Sequence, residues 1–169
     1  MNYLDEIKNI IEKDVVTQKK YDIYKNSSLV NTYFEVGRLL VEAQGGKERS
    51  KYGDGLIKKW SKELTRLYGK GYDYSNLKRM RKFYIVFQKG GTLSHQLTWS
   101  HYYKLLSIND ENKRNYYINM CIKHNLSVRK LIDMIKSDAY ERLSYVDKEN
   151  IELITENKSF SIEDNLKNP

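Results

Sequence analysis

Hydrophobic positions recur along most of this chain at intervals of three and four residues, the period of an amphipathic helix. Leu4, Ile7, Ile11 and Val15 open the series and predict a helix over residues 3–25, running on through Tyr21 and Tyr24. Asn26-Ser27-Ser28 reads as a break that supplies an N-cap for the next helix; one continuous helix through it is the alternative. Over residues 28–43, Val30, Tyr33, Phe34, Gly37, Leu40 and Val41 share a stripe, and Gly45-Gly46 ends it. Glycine in a helix interior costs about 1 kcal/mol relative to alanine, so Gly37 on the apolar face predicts close approach of another helix.

The pattern continues beyond the glycines. Asp54 is the expected cap of a helix over residues 55–69, with Leu56, Ile57, Trp60, Leu64, Leu67 and Tyr68 inward. Gly69-Lys70-Gly71 turns the chain, and Ser75 is the expected cap of residues 76–88, with Leu77, Met80, Phe83, Tyr84 and Phe87 inward. A loop carrying Gly90-Gly91 leads to a short helix opened by Thr98 or Ser100, with Trp99, Tyr102, Leu105 and Leu106 on its apolar side. Residues 110–124 are apolar on most sides (Tyr116, Tyr117, Ile118, Met120, Cys121, Ile122) and are expected to be the most buried helix. Ser127 opens a helix carrying Val128, Leu131, Ile132 and Ile135, and a short helix is expected over residues 138–143. From Tyr145 the pattern decays. No segment alternates as a half-buried strand does. The expected fold is all-α: a compact multi-helix domain over residues 1–144 with helix-turn-helix-like units, then a flexible linker or tail over residues 145–169.

Charge changes this picture in one place. Residues 47–82 carry 12 Lys and Arg against 4 Asp and Glu, a net of +8, which equals the formal charge of the whole chain. On the helix after Asp54, Lys58, Lys62 and Arg66 fall four apart on one face, with Lys59 beside them. On the next, Lys78, Arg79, Arg81 and Lys82 lie opposite the apolar stripe. Two helices joined by a short glycine-containing turn, basic on the outside, fit a helix-turn-helix. Lys58, Lys59, Lys62, Arg66, Ser75, Asn76, Lys78, Arg79 and Lys82 are therefore the candidate nucleic-acid-binding residues. The competing reading is a hairpin of a helical bundle with a solvated basic surface.

Other chemistry is thin. The single cysteine, Cys121, excludes an internal disulfide and reads as a small buried hydrophobe in a reducing, cytoplasmic protein. No apolar run reaches the length of a membrane span. His95, His101 and His124 have no partner at zinc-ligand spacing, and His101 reads as a structural hydrogen-bonding residue. Gly69-Lys70-Gly71 lacks the rest of a phosphate loop. Glu156-Asn157-Lys158 with Asp147 upstream, and Glu6-Ile7-Lys8, have a Glu-x-Lys spacing found in metal nucleases, but such triplets arise by chance in a chain rich in both residues. We expect no catalytic residues, no metal and no cofactor in this chain.

Several strings resemble one bacterial family. These are Tyr33-Phe34-Glu35-Val36-Gly37-Arg38, Gly45-Gly46-Lys47 with Tyr52-Gly53-Asp54-Gly55-Leu56, and Tyr68-Gly69-Lys70-Gly71-Tyr72 with the run from Asn76 to Tyr84. Leu97-Thr98-Trp99-Ser100-His101-Tyr102 and Asn125-Leu126-Ser127-Val128-Arg129 extend the likeness. In this order they resemble the N-terminal helical domain of the YhcG family of PD-(D/E)XK nuclease proteins. The resemblance implies that a nuclease domain follows in the full-length protein, with residues 162–169 similar to the segment leading into it. The carboxylates and lysine of a nuclease core are expected to lie outside this chain. DNA is the expected partner. A homodimer, or a domain that recruits a protein partner without touching DNA, is the alternative.

Overall fold

Gly37 and Met80 meet at backbone distance, and the domain is built around that contact. A Cβ placed on Gly37 would sit 2.1 Å from the Met80 carbonyl oxygen. The structure, a computed structural model, describes residues 3–46, 50–89 and 93–152. Gly37 belongs to α1 (Tyr3–Ala43), a single helix of 41 residues and about 60 Å. Met80 belongs to α3 (Tyr74–Phe87), which lies along the C-terminal part of α1. The expected close approach at Gly37 is therefore present.

The expected break at Asn26-Ser27-Ser28 is absent, and the continuous helix is the correct reading. The reason lies in where the hydroxyls go. Ser27 Oγ lies 2.7 Å from His95 Nδ1, far along the chain, and Thr32 Oγ1 donates back to the Ser28 carbonyl at 2.9 Å. The Ser27 hydroxyl meets a distant ring in place of the amides that follow it, so Ser27 does not cap. The helix ends as expected at Gly45 and Gly46, whose φ values of 74° and 105° suit glycine, with Gly46 N donating to Val41 O at 3.0 Å.

Helix α2 (Ser50–Tyr68) begins before the expected cap, so Asp54 lies within it. The side chains of Leu4, Ile7 and Asp54, the glycines Gly90 and Gly91, and Leu153, Ile154, Glu156, Lys158 and Phe160 lie outside the described residues. Ile57 is buried and Trp60 and Leu64 are half-buried, but Leu67 and Tyr68, expected inward, are exposed. Gly69, at φ 89°, then releases the chain into a 3-10 turn, Lys70–Tyr72.

Two apolar clusters share α1 and α3. Leu40, Ile57, Leu77 and Met80 form the smaller, which seats α2. The larger joins Val30, Phe83 and Phe87 to the remaining helices through Leu97, Tyr102, Leu105, Leu106, Ile108, Tyr117, Cys121 and Leu131. Phe83 is its hub, with ring centroids of Phe34, Phe87, Trp99 and Tyr102 at 5.6, 5.2, 5.3 and 5.0 Å. Helices α4 (Trp99–Leu105), α5 (Glu111–His124) and α6 (Val128–Lys136) complete this layer. α3 buries four apolar residues, whereas α5, expected to be the most buried helix, buries only Arg114, Tyr117 and Cys121. The reason is position: α3 is covered by α1, α2 and α4, whereas α5 lies at the margin.

His101 explains how α4 is fixed. Thr98 N donates to His101 Nδ1 at 3.2 Å, which leaves the ring proton on Nε2 to donate to the Leu126 carbonyl at 2.9 Å. One imidazole thus caps α4 and ties it to the α5–α6 turn, where Asn125 takes a left-handed conformation at φ 47°. His101 is 6% exposed, so removing it leaves two backbone groups without partners. His101→Ala is expected to lose about 2–4 kcal/mol in urea unfolding, and His101→Gln less. A loss of only a few tenths for the alanine variant would remove this role.

Residues 138–143, expected to be a short helix, form turns, with Asp138 at φ 51°. Residues 145–152, read as the start of a linker, are helical, with Asp147 N donating to Ser144 Oγ at 3.2 Å. Among the described residues there is no strand, so the fold is all-α.

Candidate nucleic-acid interface

The buried side of α2 determines which way its cations face. Ile57 and Ser61 are buried, and Trp60 and Leu64 are half-buried, so the positions about 100–200° around the helix must point outward. Lys58, Lys59, Lys62 and Arg66 occupy that arc, and all four are exposed. α2 is one helix from Ser50 to Tyr68, so these four form one stripe a little over two turns long.

The start of α3 is capped by Asp73, two residues before the expected Ser75: Asp73 Oδ1 accepts from Asn76 N at 2.8 Å. Ser75 lies in the first turn and is exposed. Leu77, Met80, Phe83 and Phe87 turn inward, which leaves Lys78 and Lys82 exposed on the opposite side. Lys78 Nζ lies 5.3 Å from the centre of the Tyr74 ring. Arg79 is held more firmly. Its Nη1 donates to Asn76 Oδ1 at 2.8 Å, and its guanidinium lies 5.1 Å from the centre of the Tyr103 ring. Asn76 in turn donates from Nδ2 to the Lys70 carbonyl at 3.2 Å. Arg81, on the expected basic face, instead donates from Nε to Gln44 Oε1 at the end of α1.

All nine candidate residues are therefore on α2 and the first three turns of α3. Seven are exposed, while Asn76 and Arg79 are half-buried in a network of their own. Tyr74, Tyr103 and Lys104 belong to the same surface and were not among the candidates; Lys104 Nζ lies 5.3 Å from the Tyr103 ring. Tyr74 was legible as the residue four before Lys78. Tyr103 was not, since only the fold brings α4 beside α3.

Elsewhere several charged groups are paired or buried. Arg38 bridges Glu35 and Glu42 at 2.8 and 2.6 Å, and these carboxylates raise its pKa. Lys113 pairs with Glu141, which raises the one and lowers the other. Arg114 is buried, donates to the Ile108 carbonyl at 2.9 Å and stacks on Phe87; burial lowers its pKa. Cys121 is buried and its thiol is pushed up to about 11, which makes it a poor nucleophile. Among the described residues no group of three or more His, Cys, Asp or Glu is placed to hold a metal, and no helix is long and apolar enough to cross a membrane. The arrangement offers positive charge and aromatic faces.

Comparison with known proteins places this surface in context. The profile of the DUF1016 N-terminal domain matches residues 6–142. A relative from Escherichia coli (strain K12), named "Putative nuclease YhcG", is 33% identical over 150 residues, covering 69% of this chain. The chain spans about 40% of the length of that relative. No solved structure matches. The motifs around Gly37, the Gly69–Gly71 turn and α3 all lie within the matched region, and with them the chain belongs to the family of DUF1016 N-terminal domains, found at the N-terminal part of YhcG-type proteins.

Proposed function

We propose that this domain is a non-catalytic DNA-binding module that holds duplex DNA for a nuclease domain elsewhere in the full-length protein. The stripe of Lys58, Lys59, Lys62 and Arg66, standing clear of the core on a rigid helix, carries the reading. Phosphate contacts need mobile cations on a fixed scaffold, and this stripe supplies them. In this reading α2 and α3 act as a helix-turn-helix. Ser75, Asn76, Lys78, Arg79 and Lys82 face the groove and α2 runs beside the backbone. The relative's name supports a nuclease partner domain. Binding would need no cofactor, and a free, buried cysteine suits a reducing cytoplasm.

The test is duplex binding across a salt series, read by fluorescence anisotropy. Four or more phosphate contacts release counterions, so the logarithm of affinity should fall with the logarithm of salt with a slope of about −4 or steeper. Absence of binding at low salt, or a slope near zero, would overturn the proposal.

A further inference from the structure

Helix α1 enters the body of the domain late. Asn26 and Ser27 are its first half-buried residues and Val30 its first buried one, while every described side chain from Ile11 to Lys25 is exposed. Apolar residues are prominent among these: Ile11, Val15, Val16 and Ile23 are 56, 59, 53 and 47% exposed. At 100° per residue they fall on the arc that further along carries Val30, Gly37, Leu40 and Val41 against α3. The arc that builds the core thus runs on, exposed, for about four turns over the described residues from Ile11 to Lys25, where it also carries Glu12, Lys19 and Asp22.

Charge identifies the occupant. Residues 3–14 hold Asp5, Glu6, Glu12 and Asp14 against Lys8 and Lys13, a net of −2. Residues 15–25 hold Lys19, Lys20 and Lys25 against Asp22, a net of +2. Such a helix complements itself head to tail and repels itself in parallel. We propose that two copies of this chain pair through the free halves of α1, antiparallel, about a two-fold axis near Glu12 and Lys13. This register sets Asp5 and Glu6 of one copy opposite Lys20 and Lys19 of the other.

The whole chain is examined by analytical ultracentrifugation from micromolar to near-millimolar concentration. A dimer that dissociates on dilution is expected. Ile11→Glu with Val15→Glu should raise its dissociation constant at least about a hundredfold, since each copy loses two apolar contacts. Both residues are exposed, so the near-UV aromatic spectrum should not change. Orientation is read with a short bis-maleimide, to which buried Cys121 contributes nothing. Ile11→Cys should cross-link, because the two sites lie about 5 Å apart along the axis, and Tyr24→Cys should not, at about 35 Å. A monomer at every concentration overturns the proposal, as does a dimer indifferent to the double variant or cross-linking through both cysteines. A monomer that the double variant destabilises also overturns it, because the face is then covered from within the same chain.

Discussion

Gly37→Ala is expected to lower the stability of the domain by about 3 kcal/mol or more and the thermal midpoint by roughly 6–12 °C. Ordinary helix propensity points the other way, since alanine in place of glycine gains about 1 kcal/mol in an unobstructed helix. The structure decides between them. A Cβ here meets the Met80 carbonyl oxygen at 2.1 Å, its carbon at 2.8 Å and the Tyr84 Cβ at 3.0 Å. Two of these three are backbone atoms inside a helix and cannot rotate away. Relief requires α1 and α3 to separate by about an ångström, which loosens Leu40 against Leu77 and Phe34 against Phe83 together. Urea unfolding with unchanged slope measures the effect. A variant as stable as wild type would mean that the two helices do not meet as described.

Replacing Lys58, Lys62 and Arg66 by glutamate is expected to weaken duplex binding at least about a hundredfold near 0.1 M salt and to reduce the salt slope by about 3. All three are exposed, so the fold should be unaffected. Arg79 is a poorer target than the sequence alone implies. It holds Asn76 and packs on Tyr103, so reversing it changes structure and charge at once. Lys82→Glu, at an exposed position, tests the α3 side without that confusion. The control is Arg129→Glu, Lys130→Glu and Lys136→Glu on α6, which packs on α4 and α5. It changes net charge equally and should move affinity only a few-fold. Equal losses in both triple variants would assign the binding to overall charge and remove the interface.

Much of this architecture follows from spacing alone. The stripes around Gly37 and from Leu77 to Phe87 are packed as their periodicity implies, because a buried helix face leaves a strong local signature. Capping was read less well. Asp73, not Ser75, begins α3, and both are good caps separated by two residues. Ser27 looked like a helix breaker because its partner, His95, lies 68 positions away. The same holds for the candidate interface. That Lys58, Lys62 and Arg66 share a face is a property of one helix and was legible. That Arg79 is anchored by Tyr103, and that Arg81 is drawn to Gln44, depends on helices brought together by the fold.

The anchoring of Arg79 has a consequence for how the two helices would divide their work. A lysine on open solvent keeps its rotamers until it meets an anion, and contact then freezes them at an entropic cost of up to about 2 kcal/mol. Arg79, already fixed between Asn76 and the Tyr103 ring, has little rotameric freedom left to lose. Its guanidinium points one way before any partner arrives. Long, free cations such as those of α2 attract from a distance and tolerate many poses. A pre-set guanidinium at the start of α3 tolerates few, and so would select among the poses that α2 admits.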